Sequence, residues 1–213
     1  DKSVFSRGAD ALAPAGAGTV LGGDDLCPEF GIDDIVQEIR EAVVWVYRNA
    51  STFGGDPQHL YVSGHSAGAQ LVAMALAHRW SDEGVPADPV KGAVLISGLY
   101  RLEPVVELPV NATLGLTMES ARRNSPMSHK LVSKAPLVVA AAADETATFI
   151  DMSRDYAAYA EANGVAAEFL LVEDAGHFTI IDKLTEADHK LTAAMLAQMG
   201  LFRPIMPRAA PPR

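Results

Sequence analysis

The sequence predicts an α/β fold in which a mostly parallel sheet is covered by helices on both faces. Apolar strand segments alternate with helical segments along the 213 residues, which is the pattern of βαβ units. Residues 93–97 are apolar almost throughout, as a central strand with both faces buried should be. The length suits one domain with a sizeable core. We expect a single domain over residues 1–203 and a tail rich in proline and arginine over residues 204–213.

The individual elements follow from the spacing of apolar residues. In residues 32–49 these residues recur at helical spacing, and Asp33, Asp34 and Arg48 suit the helix dipole. Other helices are expected where a similar pattern precedes or follows an apolar run, at residues 69–78, 148–163 and 190–199. Strands are expected at the apolar runs of residues 19–21, 60–63, 93–97, 137–141 and 168–172.

Composition restricts the partners and the compartment. The chain has 27 acidic and 17 basic residues, a formal net charge of −10, which disfavours binding to nucleic acid or to an anionic membrane. Cys27 is the single cysteine, so no internal disulfide is possible. The sequence has no apolar leader and no apolar run of about 18 residues, the length of a membrane span. We expect a cytoplasmic protein that acts on a small-molecule ester or formamide. A homodimer is possible.

One pentapeptide carries a specific chemical signal. Gly64-His65-Ser66-Ala67-Gly68 matches G-x-S-x-G and lies between a predicted strand and a predicted helix, the context of a nucleophile elbow. Such a turn lifts the serine hydroxyl above the sheet, and glycines on each side let neighbouring backbone approach without a Cβ clash. Ser66 is therefore the candidate nucleophile, and the Ala67 N–H is the candidate oxyanion donor.

A serine nucleophile needs a general base, which in this fold follows it in the chain. His177 lies in a loop after the last predicted strand, where parallel sheets collect functional groups. His129 and His189 are interpreted as surface residues. His65 is adjacent to the serine and is expected to point elsewhere. The sequence therefore predicts that His177 activates Ser66.

The acid that orients the base is expected after the strand of residues 137–141. Asp144 and Glu145 both lie there, and either could accept the Nδ1–H of His177. The residue pattern favours Asp144 slightly, with the other carboxylate left in solvent. Asp174 is a weaker rival in the loop before the histidine. No cysteine–histidine cluster or glycine-rich phosphate loop is present, so neither a metal nor an organic cofactor is expected.

Several stretches of the sequence are distinctive when taken together. They are DLCPE at residues 25–29, AVVWVYRNA at 42–50, FGGDPQHLYVSGHSAGAQ at 53–70, SGLY at 97–100 with LEP at 102–104, LGL at 114–116, ARRNSP at 121–126 and HFTI at 177–180. With these stretches the sequence resembles the arylformamidase (kynurenine formamidase) branch of the α/β-hydrolase superfamily, and the resemblance extends to about Gly200.

The resemblance implies an α/β-hydrolase fold and hydrolysis of N-formyl-kynurenine to kynurenine and formate without a cofactor. In this branch the acid precedes a Ser/Thr-x-x-Phe segment, and residues 146–149 (TATF) place Glu145 in that register. Both carboxylates therefore stay open. Arg101 replaces a residue that is usually acidic, which affects the expected substrate. Tyr100 and Phe178 are candidates for an aromatic-lined substrate pocket, with core packing as the alternative for each.

The resemblance also implies a His-Gly-Gly-aromatic segment ahead of a segment like residues 1–5, supplying further oxyanion donors. We expect the sequence to begin after that segment, with N-terminal strands of the sheet missing.

Two alternative functions share the same residues. One is a short-acyl carboxylesterase with the same triad, and the other is a catalytically silent hydrolase-like protein that binds a ligand.

Overall fold

Four parallel strands form the sheet of the structure, a computed structural model that describes residues 8–201. Their order in the sheet is their order in the chain, so each neighbouring pair is connected by a crossover. The strands are β1 (Leu60–His65), β2 (Val90–Ile96), β3 (Leu137–Ala142) and β4 (Ala167–Val172). All three strand pairings are parallel, which confirms the α/β fold with a parallel sheet.

Helices connect the strands and flank them. The α-helices within residues 8–201 are α1 (Ala9–Leu12), α2 (Ile32–Asn49), α3 (Ala67–Leu76), α4 (Asn111–Leu114), α5 (Met118–Arg123), α6 (Ala147–Ala162) and α7 (Lys190–Gln198). Short 3₁₀ helices lie at Ala13–Ala15, Ala50–Phe53, Pro57–His59, Trp80–Glu83, Glu103–Glu107, Pro126–Ser128 and Ile180–Thr185. Across this part of the chain, every helix lacks the combination of length and hydropathy that a membrane crossing requires.

The core lies on both faces of the sheet because successive side chains of a strand point to opposite sides. Leu95 of β2 and Val139 of β3 pack on one face, in a cluster with residues of α2, α3 and α6. Val94 and Val138, their neighbours in sequence, pack on the other face with residues of α1 and α7. Burying each such side chain contributes about 1.5–3 kcal/mol. This two-sided packing confirms the prediction of helices on both faces.

The predicted strand at residues 19–21 is wrong. These residues are irregular, and Val20 and Leu21 are exposed. A strand needs a neighbour to satisfy its backbone hydrogen bonds. Among residues 8–201, β1 pairs with β2 alone, and no strand pairs with residues 19–21. The tail expected at residues 204–213 lies outside the described residues.

Candidate active site

Four polar side chains come together where the strands end. Ser66 follows β1, Ser97 follows β2, Glu145 lies in the turn after β3, and His177 lies in the loop after β4. Because the strands are parallel and adjacent, their carboxyl ends share one edge of the sheet, where α/β proteins place their ligands. The fold therefore gathers residues that are up to 111 positions apart in sequence.

Backbone hydrogen bonds fix the two serines in the sheet. The Ser66 N–H donates to the carbonyl of Ile96 at 2.8 Å, and the Ser97 N–H donates to the carbonyl of Ala140 at 2.7 Å. Each bond continues the strand ladder by one residue. The positions of both serines are therefore set by the rigid sheet rather than by a loop.

The turn from β1 into α3 is sharp and strained. Ser66 has φ 56° and ψ −119°, a conformation that L-residues rarely adopt. A Cβ on Gly64 would lie 2.2 Å from the carbonyl oxygen of Gly68, so only glycine fits at position 64. Among residues 8–201, and apart from its chain neighbours and the backbone of its own helix, a Cβ on Gly68 would meet no atom within 4 Å, so the steric reason expected for both glycines holds only for the first. Ala67 is the first residue of α3, where an N–H has no intrahelical acceptor.

His177 joins the serine to a carboxylate. Its Nε2 lies 2.9 Å from Ser66 Oγ, and its Nδ1 lies 2.5 Å from Glu145 Oε1. A carboxylate accepts hydrogen bonds, so Nδ1 carries the proton and Nε2 is left as an acceptor for the serine hydroxyl. This tautomer is the one that a general base requires.

The Glu145 carboxylate is buried and fully hydrogen bonded. Its side chain is 1% exposed. One of its oxygens, Oε1, accepts from His177 Nδ1–H. The other oxygen accepts from Ser97 Oγ–H at 3.0 Å and from the Ala142 N–H at 2.8 Å. Donors on both oxygens offset the loss of water that burial of a charge entails. The carboxylate is therefore held in one orientation toward the imidazole.

The structure brings Glu145 to His177 and leaves Asp144 in solvent, contrary to the slight preference for Asp144 from the sequence. A turn closed by the Glu145 N–H on the carbonyl of Ala142 directs the glutamate inward. The Asp144 side chain is exposed and makes no hydrogen bond to any residue in 8–201. Asp174 is also exposed and has φ 53°.

Aromatic rings surround His177. The ring centroids of His65, Phe149 and Phe178 lie 4.9, 4.6 and 5.0 Å from its own. Phe178 is 78% exposed, so its ring is accessible at the mouth of the site. Sequence reasoning assigned no role to Phe149, although the Ser/Thr-x-x-Phe register could have indicated it.

Tyr100 does not lie among the aromatic rings around His177. Its side chain is fully buried, and its ring stacks on Tyr156 with centroids 4.0 Å apart. Of the two expected pocket residues, only Phe178 therefore lies at the site, and core packing describes Tyr100.

Two further residues contact the site that the sequence did not indicate. The Ser97 hydroxyl donates to the Glu145 carboxylate, and His65 Nε2 lies 2.6 Å from the backbone oxygen of His177. Burial lowers the pKa of the His65 imidazole below its ordinary value. No group of three or more histidine, cysteine, aspartate or glutamate side chains in the described part of the chain is arranged to hold a metal ion.

A parallel sheet with a strained serine at a strand-to-helix turn, a histidine on its hydroxyl and a buried carboxylate behind the histidine is the arrangement of an α/β hydrolase. The family model described as alpha/beta hydrolase fold matches residues 24–181, and the chain belongs to that family.

Two curated relatives are similar over most of the chain. The kynurenine formamidase of Danio rerio is 36% identical over 194 residues, 89% of this chain and 64% of its own length. That of Salmo salar is 37% identical over 197 residues, 89% of this chain and 65% of its own length. The chain thus spans slightly less than two thirds of these relatives.

The fold also matches solved structures. A Rhizomucor miehei esterase is 20% identical with a TM-score of 0.74, covering 95% of this chain and 70% of the esterase. At that identity the likeness concerns the fold.

Proposed function

We propose that this protein is a serine hydrolase that cleaves an aryl formamide, N-formyl-kynurenine, to kynurenine and formate. The observation that carries the proposal is the continuous hydrogen-bonded path from Ser66 Oγ through His177 to the buried Glu145. The similarity to two kynurenine formamidases supports the choice of substrate.

The first half of the reaction transfers the formyl group to the serine. Ser66 Oγ attacks the formamide carbonyl carbon while His177 Nε2 accepts the hydroxyl proton. Glu145 stabilises the imidazolium that forms and keeps its ring in place. The tetrahedral intermediate then collapses, the C–N bond breaks, and His177 gives its proton to the departing aryl amine.

The second half releases formate. A water molecule attacks the formyl ester on Ser66 as His177 removes its proton. Collapse of the second tetrahedral intermediate breaks the ester bond, and the proton returns from His177 to Ser66 Oγ. Neither half requires a metal or an organic cofactor.

The remaining groups stabilise charge and hold the substrate. The Ala67 N–H, at the start of α3, is suited to donate to the developing oxyanion, where the helix dipole also favours negative charge. The exposed ring of Phe178 offers an aromatic surface for the aryl portion of the substrate beside His177.

The test compares two substrates on the full-length protein. We expect a higher kcat/KM for N-formyl-kynurenine than for p-nitrophenyl acetate, and a fall of roughly 10⁴-fold or more in kcat for both in Ser66→Ala. Turnover of the ester alone would contradict the formamide substrate and favour a short-acyl carboxylesterase. A folded protein that turns over neither substrate would contradict catalysis and favour a binding protein.

A further inference from the structure

We infer that His65 is a positioning residue, which anchors the backbone of His177 and so sets the position of the general base. The inference rests on the proposed function, because it assigns His65 a role through a residue that the proposal makes catalytic.

The contact that carries the inference is short and spans the site. His65 Nε2 lies 2.6 Å from the carbonyl oxygen of His177, a residue 112 positions away. A carbonyl oxygen can only accept, so Nε2 of His65 carries the proton and donates it. The two rings lie 4.9 Å apart and are tilted by 45°, so they do not stack face to face.

Together with the serine, this contact gives His177 two attachments to the elbow, in addition to the bond that Glu145 makes to its Nδ1. Ser66 binds the imidazole of His177, and its neighbour His65 binds the carbonyl of the same residue. Both attachments come from the elbow, which the sheet holds rigidly. The imidazole therefore approaches the serine with its backbone and its side chain fixed to the same element.

Apart from the contacts with His65 and Ser66, the loop after β4 is tied to the turn after β3 and within itself. In the turn after β3, Glu145 accepts from His177 and the Asp144 N–H donates to the carbonyl of Ala175 at 3.1 Å. The Gly176 N–H donates to Thr179 Oγ1 at 2.9 Å, and the Ile180 N–H donates to the carbonyl of Gly176 at 3.0 Å. These bonds shape the loop but do not join it to the elbow. A misplacement of about 1 Å at a catalytic group can cost up to 10²-fold in rate.

The environment of His65 suits an uncharged donor. Burial lowers the pKa of its imidazole, while the carbonyl of His177 and the negative charge of Glu145 oppose that shift. A neutral His65 adds no positive charge next to the imidazolium that His177 becomes during the reaction. Glutamine can reproduce such a donor, because its side-chain NH₂ reaches about as far as the Nε2 of histidine.

The experiment compares substitutions of His65 in the full-length protein. We expect His65→Leu and His65→Asn to lower kcat for N-formyl-kynurenine by roughly 10- to 100-fold with little change in KM. His65→Gln restores the donor and is expected to keep kcat within about threefold of wild type. His59→Leu is the control and is expected to keep the wild-type kcat, because His59 is exposed and its ring bonds to Asp56, away from the site.

Three results would overturn the inference. The first is a wild-type kcat in His65→Leu, and the second is a His65→Gln as slow as His65→Asn when both unfold at the wild-type temperature. Either would leave the proposed function standing. Wild-type protein inactive on both substrates would remove the proposed function and this role with it. If His65→Leu does not fold, the comparison of glutamine with asparagine still decides.

Discussion

At the scale of single residues, the site depends on how hydrogen bonds divide between the two oxygens of Glu145. One oxygen faces His177, and the other faces two donors, the Ser97 hydroxyl and the Ala142 N–H. An NH₂ group in the place of that oxygen would lose the bond from the Ala142 N–H, which can only donate, whereas an oxygen keeps both bonds. The orientation of any amide at position 145 is therefore fixed in advance.

Replacing the carboxylate tests that division. In Glu145→Gln the amide oxygen is expected to stay with Ser97 and Ala142, so the NH₂ group faces His177 Nδ1. The imidazole must then carry its proton on Nε2, where it cannot accept from the serine. We expect kcat to fall by about 10⁴-fold, as when the acid of such a triad becomes an amide.

Asp144→Asn is the matched control for this substitution. It makes the same chemical change one residue earlier, on an exposed side chain with no hydrogen bond to residues 8–201. We expect its kcat to equal that of wild type in the same steady-state assay. Equal losses in the two variants, or a loss only in Asp144→Asn, would show that the glutamate is not the orienting acid.

Ser97 combines a hydrogen bond with a strained backbone. Its hydroxyl donates to the buried carboxylate, and its φ is 52°. Ser97→Ala removes a bond to a charged group, worth about 1.5–3 kcal/mol in the free energy of unfolding. Ser97→Gly removes the same bond but relieves the left-handed strain, so we expect it to be about 1 kcal/mol more stable than the alanine variant. Urea denaturation measures both, and an alanine variant as stable as the glycine variant would contradict the argument.

At the scale of elements, the elbow is a strand, a turn and a helix that approach more closely than side chains allow. Gly64→Ala would place a Cβ 2.2 Å from a backbone oxygen that no side-chain movement can displace. We expect a loss of roughly 3 kcal/mol in the free energy of unfolding, because overpacking forces the backbone to shift. Activity should fall with it, since the shift moves Ser66.

The control lies in the loop that carries the histidine. Beyond its chain neighbours, a Cβ on Gly176 would meet one atom of the described residues within 4 Å, Thr179 Oγ1 at 3.9 Å, which is an ordinary contact. Gly176→Ala is therefore expected to change the free energy of unfolding by less than about 0.5 kcal/mol. Similar losses in the two variants, measured by denaturation, would show that the close approach at the elbow is not what requires glycine.

The elements that the sequence predicted well are those whose signals are local. The helix α2 begins and ends at Ile32 and Asn49 as predicted, because its apolar spacing and terminal charges act within the segment. The apolar runs of the strands were placed to within a few residues for the same reason. The segment at residues 19–21 was mispredicted, because strand formation depends on a neighbouring strand that its own residues do not encode.

The residues of the site also divide into those with a local sequence signal, which could be predicted, and those without one. The elbow motif and the chain order indicated Ser66 and His177, and the structure places the two in hydrogen-bond contact. Adjacent carboxylates carry the same local signal, so the sequence could not separate Glu145 from Asp144. Ser97 and His65 act through contacts between different strand ends, which no local pattern reveals.

At the scale of the whole molecule, partly buried histidines link stability to pH. Burial lowers the pKa of His65, His78 and His189 below the ordinary value of 6.5. Below that pH these three groups therefore bind more protons in the unfolded chain than in the folded protein. Their contribution to stability is fully present above about pH 6.5 and is lost as the pH falls toward the depressed values.

This linkage predicts a lower urea midpoint at pH 5.5 than at pH 7.5. His65→Gln removes one of the three groups, so the difference between the two midpoints should shrink in that variant. Midpoints that are equal at the two pH values, or a difference that His65→Gln leaves unchanged, would contradict the lowered pKa values of these histidines.

The central claim is that Ser66 is a nucleophile activated through His177 by Glu145. The most direct measurement is covalent labelling of the folded protein with a fluorophosphonate, followed by peptide mass mapping. We expect one adduct, on Ser66, formed at similar rates in wild type and Asp144→Asn and far more slowly in Glu145→Gln. A folded wild-type protein that forms no adduct on Ser66, or is labelled on another residue, would contradict the claim.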